Sequence, residues 1–300
     1  MRVVVALGGN AISIRGKPLT AEAQRGSIRV AANALAKLLE AGHEVVVTHG
    51  NGPQVGYLAL QGGPFPLDVL GAETDGMIGY VLQQELDNAY EPDAKYATLL
   101  TQIEVDPDDP AFADPTKFIG PIYNEDEAAK LSAERGWSMG KDGDHFRRTV
   151  PSPRPKRILE IDVIRLLLEQ KVVVICAGGG GIPVVAKEDG TTIGVEAVID
   201  KDHASGLLAR AINADAFVML TDVEGVFENW GTPDERLIER ATPEELEHMS
   251  FPSGSMGPKI DAACEFVTAT GGFAAIGRLS DTVGLIGRTT GTCIARSDQA

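Results

Sequence analysis

The sequence predicts an α/β fold in which a mainly parallel sheet is covered by helices on both faces. The first observation is a set of short β-branched runs, VVVAL from residue 3, EVVVTH at 44–49, VVVICA at 172–177 and AFVMLTDV at 216–223. Such runs lack polar alternation, as strands buried on both faces do. The second is that they alternate with segments of helical period, one over about residues 21 to 41 and another from about Pro53. Strand and helix in turn give parallel neighbours, and the intervening lengths can hold the crossover helices that parallel pairing needs. The third is composition: 43% of residues are hydrophobic but only 5% aromatic, so the apolar content resides in Val, Ile, Leu and Ala.

The 300 residues suit a single domain, 1–300, that buries most of its unfolded surface. Its rhythm breaks between Glu104 and Pro155, where EVDPDDPAFADPTKFIGPIYNE and KDGDHFRRTVPSPRPKR are rich in Pro, Asp and Arg. Phe112, Phe118, Ile119, Ile122, Tyr123 and Trp137 supply enough apolar material for an ordered subdomain, so 104–155 is read as an insertion projecting from the body. The 27 basic residues against 43 acidic ones give a net charge of −16, which opposes binding to nucleic acid or an anionic membrane and requires any anionic substrate to be met by local positive charge. Cys176, Cys264 and Cys293 are odd in number and widely spaced, which fits neither a disulfide framework nor a zinc site and suits a reducing cytoplasm. The apolar stretch in MRVVVALGGN is too short for a signal segment, and no run reaches bilayer length.

Three glycine turns follow strands. VVVAL ends in Gly8, Gly9 and Asn10; EVVVTH ends in Gly50, Asn51 and Gly52, with Pro53 opening a helix; VVVICA ends in Gly178, Gly179, Gly180 and Gly181. Without Cβ atoms a ligand can approach successive N–H groups, and a glycine turn feeding a helix start makes an anion site. A tight turn with packing glycines explains one or two such residues, and four in a row favour a ligand. At the carboxyl ends of parallel strands all three turns would share one sheet edge, where open α/β folds bind ligands. No G-x-x-x-x-G-K-[ST] occurs, nor a dinucleotide fingerprint between a strand and a helix.

Charge in awkward places marks the same edge. AVIDKDHASGLLARAIN reads as a helix with Asp200 as N-cap and Asp202 in its first turn, where acids suit the dipole and Lys201 does not. Lys201 is either a solvated lysine neutralised by two aspartates or a phosphate ligand held by Asp202. Lys259 repeats the problem at the start of a helix running to Gly271, and a bound anion would reverse the sign in both places. After AFVMLTDVEGVF, Thr221, Asp222, Glu224 and Gly225 suit either a ribose or adenine contact or an ordinary Asp-containing turn. Thr242, Pro243 and Glu245 form a capping box. His49, His203 and Cys176 lack partners for a nucleophilic triad and read as packing or hydrogen-bonding residues.

Taken together, ALGGNAI, THGNGPQVG, PLDVLGAETDGMIGY, ADPTKFIGP, RRTVPSP, AGGGGIPVV, GVEAVIDKD, LTDVEGV and GSMGPK resemble the carbamate kinases, a branch of the amino acid kinase family, in order from Val3 to about Thr292. The resemblance implies a three-layer α/β/α sandwich around an eight-stranded, mostly parallel sheet with a small protruding lid, assembled as a homodimer. It implies phosphoryl transfer between ATP and carbamate with magnesium, running toward ATP in nitrogen catabolism. By the same resemblance Lys117 and Lys201 stabilise the transferred phosphoryl group, Lys259 holds nucleotide phosphates, and Asp202 orients the lysines or the metal shell. Gly8, Gly9, Asn10, Gly50, Asn51, Gly52, Gly178 and Gly179 cradle phosphoryl group and carbamate; Thr221, Asp222, Gly225, Met256 and Gly257 line the nucleotide side; Arg148 is a further lid candidate. Many relatives carry a lysine before the first Gly-Gly turn where this chain has Ala6, and Lys117 of the insertion would replace it. The competing expectations are a kinase of another small acid on the same fold, and a nucleotide-binding sensor without catalysis.

Overall fold

The computed structural model describes residues 1–12, 20–252 and 254–297. Its principal sheet has eight strands in the order β15 (Arg240–Ala241), β17 (Thr292–Ile294), β16 (Phe273–Arg278), β12 (Ala216–Thr221), β1 (Arg2–Leu7), β2 (Glu44–His49), β9 (Val173–Ile175) and β3 (Tyr96–Thr98). Only the β16–β17 pair is antiparallel. The apolar runs are therefore central strands, as their lack of polar alternation requires.

Alternation along β1 divides the core. Val3, Val5 and Leu7 face a layer with Ile28 and Leu35 of α2 (Ala21–Glu40), Ile78 and Leu82 of α4 (Leu67–Ala89) and Leu285 of α10 (Thr282–Ile286). Val4 and Ala6 face the opposite layer, with Ile164 of α6 (Ile161–Glu169), Leu208 of α7 (Lys201–Ala211), Leu246 of α8 (Pro243–Glu247) and Phe266 of α9 (Met256–Thr270). Phe217 of β12 meets Phe266 edge-on, 5.8 Å between ring centroids. Cutting either ring to Ala would cost about 3–5 kcal/mol. The result is the three-layer α/β/α sandwich that the sequence predicts.

Smaller sheets lie beside it. One has the order β11 (Thr192–Gly194), β10 (Ile182–Ala186), β4 (Gln102–Val105) and β8 (Pro155–Ile158), and β13 (Val226–Glu228) with β14 (Arg236–Ile238) makes a hairpin. Antiparallel pairing of β4 with β8, Ile103 opposite Ile158, joins the two flanks of the excursion expected over 104–155. Within it β5 (Lys117–Tyr123), β7 (His145–Val150) and β6 (Ser138–Asp142) form their own antiparallel sheet, accompanied by α5 (Glu125–Arg135). Asn124 and Glu127 close α5 at one end with a reciprocal capping box, and left-handed Gly136 ends it. This unit packs on α3 (Gly52–Gln61) where a Cβ on Gly56 would collide with the backbone of Gly120.

Candidate active site

Parallel pairing gathers the strand ends. Leu7 is in register with His49 on one side and Leu220 on the other, so the turns that follow stand side by side. Gly8, Gly9, Gly50, Asn51 and Gly52 line a cleft of about 570 Å³. Gly9 opens the one-turn helix α1 (Gly9–Ile12), and Gly52 opens α3 with Pro53 in its first turn. The Asn10 side chain lies outside the described residues. Gly8 donates its N–H to Leu220 O at 3.0 Å, and a Cβ there would lie 2.7 Å from the same oxygen, so the neighbouring strand itself demands glycine.

The four-glycine turn is more divided. Gly179 reaches the cleft wall with φ of +67°, and its missing Cβ leaves room for the Asn51 amide. Gly178 lies below the wall, where a Cβ would collide with Asp75 Oδ1 and approach His49 Nε2 to 2.5 Å. Gly180 and Gly181, both at positive φ, give way to the Ile199 carbonyl and the Ile103 side chain. Most of the absent side chains are replaced by protein.

The charges cluster at the start of α7. Asp200 Oδ1 accepts the Asp202 N–H at 2.8 Å as N-cap. Lys201 Nζ donates to Asp202 Oδ1 at 2.5 Å and Lys259 Nζ, from the first turn of α9, to Asp202 Oδ2 at 2.8 Å. The three side chains are only 12%, 14% and 5% exposed for Lys201, Lys259 and Asp202. Burial alone would raise the Asp202 carboxyl, but the two ammonium groups hold it below the ordinary carboxylate range. Burial makes Lys201 less basic despite that partner, whereas at Lys259 the aspartates outweigh burial and raise it. Lys117, the first residue of β5, pairs with Asp200 Oδ2. Burial opposes the ionised form of Asp200, and Lys117 overcomes it, so this carboxyl too stays well below its usual range.

Thr221, Asp222, Gly225 and Met256 line the cleft in company that the sequence does not reveal: Phe227, Trp230 and Phe251. Phe227 and Trp230 meet edge-on at 5.1 Å. Gly257 lines a separate groove behind α9, its N–H donated to Pro252 O at 3.0 Å. Arg148 stands apart from the cleft wall, its guanidinium 4.3 Å from the Trp137 ring centre, and burial makes it less basic. Sequence reasoning gave Asp200 only its cap; its second partner, Lys117, is distant in the chain. Among the described residues no three His, Cys, Asp or Glu side chains are grouped to hold a metal ion.

Lysines, a carboxylate that braces them and bare turns along the carboxyl edge of a parallel sheet are the equipment of a phosphotransferase. A family model described as the amino acid kinase family matches residues 1–273. A carbamate kinase of Rhizobium meliloti is 54% identical over 99% of this chain and 94% of its own, and one of Pyrococcus furiosus is 45% identical over 97% and 98%. The solved carbamate kinase from Giardia lamblia bound to AMP-PNP superimposes with a TM-score of 0.88 at 42% identity, covering 98% of both chains. The chain belongs to the amino acid kinase family and, within it, to the carbamate kinases.

Proposed function

We propose that this protein transfers a phosphoryl group reversibly between ATP and carbamate, giving ADP and carbamoyl phosphate. The observation that carries the reading is the Asp202 carboxylate shared between Lys201 and Lys259 beside the glycine turns. In the ATP-forming direction a β-phosphate oxygen of ADP attacks the phosphorus of carbamoyl phosphate while the bond to the carbamate oxygen breaks. Carbamate departs as an anion, so the transfer needs no general base. The obstacle is the meeting of two anions, and positioned positive charge removes it.

Lys201 from α7 and Lys117 from the lid flank the transferred group, and Lys259 holds nucleotide phosphate. Asp202 fixes two of these ammonium groups in advance, so little reorganisation accompanies charge migration. Gly9, Gly50, Asn51 and Gly179 form the cradle; Thr221, Asp222, Gly225 and Met256 receive the nucleoside with the three aromatic residues. The unit between β4 and β8 acts as a lid that delivers Lys117 on closing. A magnesium ion would be held mainly by the nucleotide phosphate oxygens, since ions of this kind need few protein carboxylates, and would supply neutralisation of phosphate charge. Both Asp202 oxygens already accept from lysines, so its first role is to hold those ammonium groups.

The chain works toward ATP in the cytoplasm; Cys176, Cys264 and Cys293 are all unpaired, as a reducing compartment allows. No described helix is long and apolar enough to cross a membrane. Exposed Val30, Met77 and Tyr80 on the packed pair α2 and α4 offer an apolar face to a second copy. The test is ATP formation from ADP and carbamoyl phosphate with magnesium, wild type beside Lys201→Ala. Activity in the wild type and a loss of about 100-fold or more in the variant are expected; a folded wild type that binds ADP but makes no ATP would refute the reading.

A further inference from the structure

His49 ends β2, one residue before the Gly50 turn, and Asp75 lies on α4 on the other side of the four-glycine turn. Their side chains are 0% and 1% exposed, with His49 Nε2 3.4 Å from Asp75 Oδ1. Neither Asp75 oxygen has a hydrogen-bond partner within ordinary range among the described residues. A buried carboxylate so placed is costly unless the imidazole compensates it. His49 Nδ1 lies 3.2 Å from Gly50 O, which can only accept, so Nδ1 carries a hydrogen.

The pair touches both halves of the acid-binding cradle. Through His49 it grips the Gly50 carbonyl; because a trans peptide sets its C=O and N–H in opposite directions, this also aims the Asn51 N–H away from the imidazole. Through Asp75 it fills the space that a Gly178 side chain would need, directly beneath Gly179. The preceding α4 residue, Thr74, accepts from Asn51 Nδ2 at 2.8 Å and donates to Gly71 O at 2.8 Å. Two successive buried residues of α4 thus reach the two turns, while the lysines approach from α7 and α9.

We propose that His49 and Asp75 are positioning residues for the acyl end of the substrate: they set the Gly50–Asn51 turn against the Gly178–Gly179 turn, without touching the nucleotide wall. The inference rests on the carbamate kinase reading given above. A cradle out of place by a fraction of an ångström loses near-attack geometry for the small acid while the nucleotide subsite stays whole.

The experiment is steady-state ATP formation by the full chain for wild type, Asp75→Asn, His49→Gln and the double variant, varying carbamoyl phosphate and ADP separately, with folding checked by thermal melts. In Asp75→Asn we expect kcat/KM for carbamoyl phosphate to fall about 10- to 100-fold while KM for ADP stays within about twofold. The double variant should lose little more than the worse single one, because both changes break the same contact. A parallel rise in KM for ADP, additive losses or no loss overturn the inference while leaving the reaction in place. Should Asp75→Asn fail to fold, His49→Gln, which keeps a donor toward Asp75, is held to the same split. A wild type without activity overturns the inference and the proposed reaction together.

Discussion

Gly178 and Gly179 are neighbours in the chain and lack side chains for different reasons. A methyl at Gly178 would meet the Asp75 and His49 pair, whereas one at Gly179 would displace the Asn51 amide at the cleft wall and be held at φ +67°. The left-handed backbone alone costs an L-residue about 1–2 kcal/mol. Gly179→Ala should therefore lower the melting temperature by a few degrees and, in assays corrected for folded protein, cut turnover at least about tenfold. Retained turnover in the folded fraction would remove Asn51 from the cradle. A run of four glycines says that side chains are excluded, but what excludes them comes from β2 and the turn after it, α4, β4 and the segment before α7, none adjacent to the run in sequence. In the proposed reaction Lys117, paired with Asp200, serves the transferred phosphoryl group and not the nucleoside. Lys117→Ala should reduce kcat by about 100- to 1,000-fold with ADP affinity by calorimetry nearly unchanged. Parallel loss of ADP affinity would make it a nucleotide ligand instead.

At the scale of elements, the proposed lid depends on a backbone-to-backbone contact. Gly120, at φ +72°, rests on Gly56 of α3, and Arg135 of α5 donates to Leu60 O at 3.0 Å near the end of that helix. Gly56→Ala leaves the helix propensity of α3 no worse but drives the two backbones apart and carries Lys117 with them. It should lower kcat at least about tenfold with KM for ADP little changed; full activity would mean that the lid docks elsewhere during turnover. This contact is silent in the sequence because Gly56 reads only as one more residue of a helix. Element boundaries were legible wherever their signal is local: α2 spans Ala21–Glu40 against the expected 21 to 41, and Thr242 with Glu245 forms the expected box at α8. At the base of the lid, Arg154 donates to His203 Nδ1 at 2.8 Å, and burial lowers the pKa of His203, as it does that of His43. A histidine less basic folded than unfolded binds fewer protons when native, so stability falls as pH drops below the unfolded value of 6.5. The melting temperature should decline from about pH 7 to about pH 5, and less steeply in His203→Gln. An identical slope would assign the decline to His43 and other groups.

For the whole molecule, the sheet was legible because its strands are continuous apolar runs separated by helical periods, and the cleft because parallel strands bring their turns to one edge. The aromatic wall was hidden: Phe227, Trp230 and Phe251 come from a strand, a turn and a loop whose letters suit any surface. Net charge acts at this scale as well. An excess of 16 acidic charges repels itself in the compact state, whereas exposed ion pairs such as Lys156 with Asp106 and Arg236 with Glu228 attract. Salt weakens both. Each exposed pair contributes at most about 1 kcal/mol and many contribute nothing, so relief of the acidic excess should dominate. The buried set of Lys201, Lys259 and Asp202 is sheltered from that screening. Raising sodium chloride from about 0.05 to about 0.5 M, which shortens the screening length from about 14 to about 4 Å, should therefore raise the melting temperature. A fall would mean that surface ion pairs, and not the surplus of carboxylates, govern how ionic strength acts on this fold.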